Sequence, residues 1–280
     1  MLKQRIITAL VLLAVVLPAM FHTSVVPFAA LAVVMVAAAG WEWARMNTLS
    51  GRPALLIGGG LGALLLLFWA GGGLDRSWPV VWWLSAGVWL SLALLMLRRG
   101  VPGWQRWPVA SRLTGGLLML ACAWLALVQA RQTGLLFLLS VLTLVWAADI
   151  AAYAGGRAFG RRKLAPTLSP GKSWEGVFSG LLGVVLLALF WLWFDLRFPS
   201  DAPSLFSRLW EAGPVWTLVA LLLLTAASVV GDLLESLVKR GAGMKDSSRL
   251  LPGHGGVLDR VDALLPVLPV AMLFAHLLEK

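Results

Sequence analysis

Acids are scarce in this chain, and their spacing is the first sign of chemistry. The run Ser228–Arg240 reads SVVGDLLESLVKR. Asp232, Glu235, Ser236 and Lys239 fall at i, i+3, i+4 and i+7, which puts all four on one face of a helix. An acidic stripe in or near a membrane span is costly and so points to function. For Glu235 and Lys239 a simple i,i+4 pair at a helix end explains the residues equally well. Further on, HGGVLDRVD (His254–Asp262) joins a flexible turn, His254-Gly255-Gly256, to Asp259 and Asp262, again at i, i+3 with Arg260 between them. The glycines let the backbone turn and approach a ligand closely. Asp232 and Asp259 come from two helices joined by one loop. Two carboxylates from different elements, completed by phosphate oxygens, are what Mg2+ takes. No cysteine and no second histidine accompanies them, so a structural zinc site is excluded.

The basic residues supply the other half. Lys239, Arg240, Lys245, Arg249 and Arg260 can hold phosphates through charge-assisted hydrogen bonds. An earlier segment, DIAAYAGGRAFGRRKLAPTLSPGKSWEG (Asp149–Gly176), places Asp149 and Tyr153 at i, i+4 near the end of one span. Gly155, Gly156 and Gly160 are expected to loosen the helix exit there. Ser169-Pro170-Gly171-Lys172-Ser173 then precedes the next span as a small-residue anion loop at a helix N-terminus. It is not a Walker A loop, because Pro166 stands where the first glycine belongs. No Ser or Cys nucleophile has a His and carboxylate to activate it. His22 and His276 fall on the other side of the membrane, and His254 serves either to fix its turn or as an acid–base group. Chemistry that needs little proton transfer fits this set: phosphoryl or nucleotidyl transfer to an acceptor that is already anionic.

The elements that must position these residues are membrane helices. The chain is 60% hydrophobic and 13% charged, with a mean hydropathy of +0.86, which excludes an ordinary soluble domain. Apolar runs of about 17–25 residues recur, the length that crosses a bilayer, and they are continuous rather than alternating, which excludes a barrel. Nine spans are predicted, at 5–21, 24–40, 54–70, 78–97, 113–130, 134–154, 174–194, 214–238 and 261–278. The first two form a tight hairpin. The fold class is all-α, one transmembrane domain over 1–280, with 1–130 as N-terminal helices and 131–280 carrying the site.

With the N-terminus cytoplasmic, every one of the 23 lysines and arginines except Arg76, Arg131, Arg197, Arg208 and Lys280 falls on the cytoplasmic side. That bias predicts N-in, C-out topology and accounts for the net charge of +10 without any nucleic acid. The opening MLKQRIITALVLLAVVLPAM also has the layout of a signal peptide; cleavage would leave eight spans. Trp78, Trp104, Trp107 and Trp174 are placed at membrane interfaces. Cys122, the single cysteine, sits in an apolar run as a packing residue.

SLVKRGAGMKDSSRLLPGHGGVLDRVD (Ser236–Asp262) closely resembles the signature of phosphatidate cytidylyltransferases, also called CDP-diacylglycerol synthases. Ser-x-x-Lys-Arg, Lys-Asp, Leu-Pro-Gly-His-Gly-Gly and Asp-Arg-x-Asp stand at that family's spacing without departure. Phe159-Gly160, Lys163-Leu164 and Ser169-Pro170-Gly171-Lys172 are similar as well. The resemblance implies attack of phosphatidate on CTP, giving CDP-diacylglycerol and pyrophosphate. It implies Mg2+, with room for a second cation, held by Asp232 and Asp259, and a homodimer in the inner (cytoplasmic) membrane with the site facing the cytoplasm. On that reading Lys239, Arg240, Lys245 and Arg260 clamp phosphates, and Ser169, Lys172 and Ser173 hold the nucleotide. Asp246 and Asp262 either orient ligands or add to them. Asp149, Tyr153, Glu235, Ser236, Arg249, Gly255 and Gly256 line the substrate site. Asp259→Asn is expected to lower turnover severely while leaving the fold largely intact. A CTP-dependent lipid or polyprenol kinase, which would need a base such as Asp246 or His254, is the alternative enzyme. A transporter with a cytoplasmic anion or metal gate is the non-enzyme alternative.

Overall fold

The computed structural model describes residues 2–278; Met1, Glu279 and Lys280 lie outside the described residues, and with them the far-side position expected for Lys280. The chain runs α1 (Leu2–Phe21), α2 (Val26–Met46), α3 (Arg52–Ala70), α4 (Pro79–Gln105), α5 (Val109–Thr133), α6 (Leu135–Phe159), β1 (Lys163–Ala165), β2 (Ser169–Ser173), α7 (Trp174–Arg197), α8 (Leu205–Glu211), α9 (Pro214–Gly241), α10 (Leu258–Val261) and α11 (Leu264–Leu278). Among the described residues eight helical stretches are long and apolar enough to cross a membrane, α10 and α11 counting as one. Counting the bent α4, in which Pro79–Leu95 and Arg98–Gln105 meet at 97°, as one span brings the number to nine. The all-α polytopic class follows, and the nine apolar runs coincide with these stretches.

Several boundaries move, each for a physical reason. Helix α2 continues past Gly40 to Met46, so Trp41-Glu42-Trp43 is helix and not loop. Helix α6 continues through Gly155 and Gly156 to Phe159. These glycines do not loosen the helix. A Cβ on Gly155 would strike the Ser179 side chain, and one on Gly176 or Gly180 would come within 2.9 Å of Ala152 O or 3.0 Å of Ala148 O. The glycines let α6 and α7 pack backbone to backbone, as small residues do between membrane helices.

The anion loop is corrected too. Ser169–Ser173 is a strand, paired antiparallel with β1 in the register Lys163↔Ser173 and Ala165↔Ser169. Ser173 then caps α7, its Oγ accepting from Gly176 N at 3.2 Å, which satisfies an otherwise orphaned helix donor. Glu175, one residue into α7, accepts from Arg161 N at 3.0 Å and Arg162 N at 3.2 Å and fastens the start of the hairpin. The short α8 lies in a loop where no element was expected. Trp104 is not an interface residue. It is 4% exposed and packs edge-on against Trp43 at 5.9 Å, inside the bundle.

Candidate functional site

Helix α9 organises the site. Its Gly231 lets α11 approach, since a Cβ there would meet Asp262 O, Ala263 and Pro266. That contact sets Asp232 beside the start of the last span. The stripe read from the sequence is real: Asp232 Oδ1 accepts from Ser236 Oγ at 3.4 Å, and Glu235 Oε2 pairs with Lys239 Nζ at 2.5 Å. Asp262 Oδ1 accepts from Ala263 N at 2.8 Å, and Asp262 lies near enough to Asp232, Lys239 and Lys172 to feel their charges.

The carboxylates form two neighbouring groups. In the first, Asp232 Oδ2 pairs with Lys172 Nζ at 2.6 Å. Lys172 arrives from β2, which is why the hairpin matters. Asp149 and Asp232 both line a cavity of about 450 Å3 between α6, α7, α9 and the hairpin, as do Tyr153, Ser169 and Ser173. Arg157, also in its lining, donates from Nη1 to Tyr153 Oη at 3.3 Å.

In the second group Asp259 is the centre. Its Oδ1 accepts from Lys239 Nζ at 2.7 Å. Its Oδ2 accepts from Ser247 N at 2.9 Å, Ser247 Oγ at 2.9 Å and Gly256 N at 2.8 Å. The glycine turn is therefore explained differently from the expectation. A Cβ on Gly255 would strike Asp259 Oδ2, and one on Gly256 would strike Ser247 Oγ and Glu42 Oε1. The backbone approaches the protein's own carboxylates. The turn is closed by Leu251 N on Gly255 O and His254 N on Leu251 O, both at 2.8 Å, and by Arg260 Nε on His254 O at 2.9 Å. Arg260 thus has a structural task in addition to its charge.

Glu42 was missed in the sequence, and it underlies the second group. It is fully buried. Its Oε1 accepts from Ser248 Oγ at 2.6 Å and Val257 N at 2.9 Å. Its Oε2 accepts from Leu258 N at 2.8 Å and Ser247 Oγ at 3.2 Å. The Ser247 hydroxyl stands between Asp259, at 2.9 Å, and Glu42, at 3.2 Å; with one proton it donates to one of the two acids at a time. Only with the helix carried past Gly40 to Met46 does Glu42 become an acid inside a span, and such an acid needs a partner.

Some expected residues are placed elsewhere. Lys245, Asp246 and Arg249 line a separate open depression with Trp41 and Arg45, and all three are exposed. Arg240 is also exposed and donates from Nη1 to Met244 O at 3.4 Å. None of these four lines the cavity that holds Asp149, Lys172 and Asp232.

Fold and site together define a polytopic helical membrane protein with an ionic site at the mouth of a largely apolar cavity. The sequence model of the cytidylyltransferase family matches residues 3–278, and the chain belongs to that family. It is 42% identical over 296 residues to the phosphatidate cytidylyltransferase of Pseudomonas aeruginosa, covering 99% of this chain and 97% of the relative. It is 38% identical over 288 residues to that of Haemophilus influenzae, 96% of each. The phosphatidate cytidylyltransferase of Brucella suis is 40% identical over 187 residues, 65% of this chain and 61% of the relative.

Proposed function

We propose that this chain is a phosphatidate cytidylyltransferase: it transfers the cytidylyl group of CTP to phosphatidate, releasing pyrophosphate and leaving CDP-diacylglycerol. The observation that carries the reading is the meeting of Asp149, Asp232 and Lys172 at the mouth of a cavity whose inner walls are apolar, in a chain of the cytidylyltransferase family. A charged headgroup and an acyl-bearing body need that combination.

The reaction forms a bond between a phosphatidate phosphate oxygen and the α-phosphorus of CTP. The bond from that phosphorus to the α,β-bridging oxygen breaks, and pyrophosphate leaves with the electron pair. The attacking oxygen is already anionic, so no base is required. What is required is positioning and compensation of negative charge. Lys172 is on a hairpin at the cavity and is 25% exposed, so its ammonium can leave Asp232 for a phosphate. Ser169 and the Gly171 backbone line the same wall and offer neutral donors. Lys239, held between Glu235 and Asp259, keeps Asp259 in place.

The residues fit a divalent cation. Asp232 holds a partly exposed ammonium group on one carboxylate oxygen, which is the place a metal would take; Asp259, with both oxygens already bonded, would join it only where Lys239 gives way. Among the described residues no cluster of three or more His, Cys, Asp or Glu side chains is built to hold a metal. One or two carboxylates completed by substrate phosphates suit Mg2+ and not a closed all-protein cage. When bound, Mg2+ would neutralise charge on the reacting phosphates and the leaving pyrophosphate.

We place the site on the cytoplasmic side of the inner membrane, on the strength of the lysine and arginine bias, and the active species as a homodimer. Labelling a cysteine introduced at Asp246 in sealed spheroplasts tests the first, since labelling from outside would contradict it. Mass measurement of the protein in detergent tests the second, and a monomer that retains full activity would overturn it. The activity itself is tested with purified protein, CTP and phosphatidate, with and without Mg2+. CDP-lipid and pyrophosphate are expected only with the metal; CDP with a phosphorylated lipid would assign a kinase instead.

A further inference from the structure

Hydroxyls within this chain's helices usually close back on the carbonyl four residues earlier. Thr114, Thr143, Ser179 and Thr217 do so on Ala110, Leu139, Glu175 and Gly213. Thr225 and Ser228 do not. They are 3% and 1% exposed, neither hydroxyl has a hydrogen-bond partner among the described residues, and both residues line the cavity that Asp232 closes. A buried hydroxyl left unpaired is costly and rare, and it calls for an explanation.

Their depth suggests one. Ser228 and Thr225 precede Asp232 by four and seven residues, so they share its face of α9 and lie about 6 and about 10 Å further along the helix toward the membrane interior. The walls around them are Ala148, Ala152, Val177, Gly180 and Val229, which offer no side-chain hydrogen bond. On the neighbouring outer faces Ile150 and Phe178 are 70% and 65% exposed, as lipid-facing residues are. A ligand portion at that depth must be mostly apolar, must be uncharged, and must present a small number of acceptors. A cytosine base, with several donors and acceptors, would find too few partners there.

We infer that Thr225 and Ser228 bind the glycerol ester region of phosphatidate, each donating a hydrogen bond to an ester carbonyl while the phosphate sits at the level of Asp232 and Lys172. The inference rests on the function proposed above. It adds a specificity: the enzyme reads the ester linkage, and acyl chains run on into the bilayer from that point.

The test compares dipalmitoyl phosphatidate with its dialkyl-ether analogue, which keeps the phosphate and the chains but lacks both carbonyls. Full-length protein in mixed micelles is assayed for pyrophosphate release at saturating CTP. The wild type should prefer the ester lipid in KM by about three- to tenfold per hydroxyl, the range one net hydrogen bond supplies. Thr225→Val and Ser228→Ala should each erode that preference, and the double variant should treat the two lipids alike, with KM for CTP unmoved. Thr225→Ser, which keeps the hydroxyl, should restore it. A preference unchanged in the variants, or a shift in KM for CTP instead, overturns the assignment. Should the wild type turn over neither lipid, the proposed activity falls. Retention of the two lipids by immobilised protein then decides the inference alone, and equal retention refutes it.

Discussion

Glu42→Gln is the sharpest test of how the site is held. The substitution keeps size and shape and exchanges one oxygen for an NH2 group. Each oxygen of Glu42 faces one serine hydroxyl and one backbone N–H: Ser248 and Val257 at Oε1, Ser247 and Leu258 at Oε2. A serine hydroxyl can rotate and accept from the new NH2 group, but a backbone N–H cannot. Whichever way the glutamine sits, Val257 N or Leu258 N meets a donor and is left unpaired in a buried place. That costs about 1–3 kcal/mol, before the loss of charge in the remaining bonds. The strain falls on the segment that ends in Asp259, because Ser247 contacts both acids. A displacement of about 1 Å in a catalytic group can cost about a hundredfold in rate. Glu42→Gln should therefore lower the melting temperature in detergent by several degrees and cut CTP- and phosphatidate-dependent pyrophosphate release by one to two orders of magnitude. A Glu42→Gln protein with wild-type melting and wild-type turnover would refute the assignment of Glu42 as the anchor of this segment.

Asp259→Asn should lose both turnover and stability, because an amide nitrogen in either orientation faces donors that the carboxylate accepts. This revises the expectation that the fold would be spared, and an unchanged melting temperature would contradict the four-bond arrangement. Lys172→Met should behave in the opposite way. Its pair with Asp232 is partly exposed and contributes at most about 1 kcal/mol to stability, so melting should barely move while KM for CTP rises; a large loss of stability would show Lys172 to be structural. Gly256→Ala places a methyl group against Ser247 and Glu42 and should be among the most damaging small substitutions in the chain, measured as loss of folded protein after detergent extraction. Normal yield and activity would mean that the turn can relax away from Glu42.

The sequence revealed those features that one local pattern can encode. Apolar length specified the spans, because a run of leucine and valine long enough to cross the bilayer has few other uses. Helical spacing placed Asp232, Glu235, Ser236 and Lys239 on one face, and the structure keeps them there. What stayed hidden depends on contacts between distant segments. Glu42 lies more than 200 residues from the serines it holds, and a span boundary drawn at Gly40 put it in a loop, where an acid needs no explanation. The glycines at 155 and 156 carry no local sign of whether they break a helix or admit a neighbour; only α7 lying against them decides. The same holds for Lys172. In sequence it looks like a lysine beside a helix N-terminus, and it becomes the partner of Asp232 only because β1 pairs with β2 and turns it inward. The site is thus assembled from α2, α6, the hairpin, α9 and α10, and the conspicuous motif between Ser236 and Asp262 supplies one wall of it. The other walls are built from residues whose types are unremarkable where they stand, which is why Thr225 and Ser228 become informative only once their missing partners are seen.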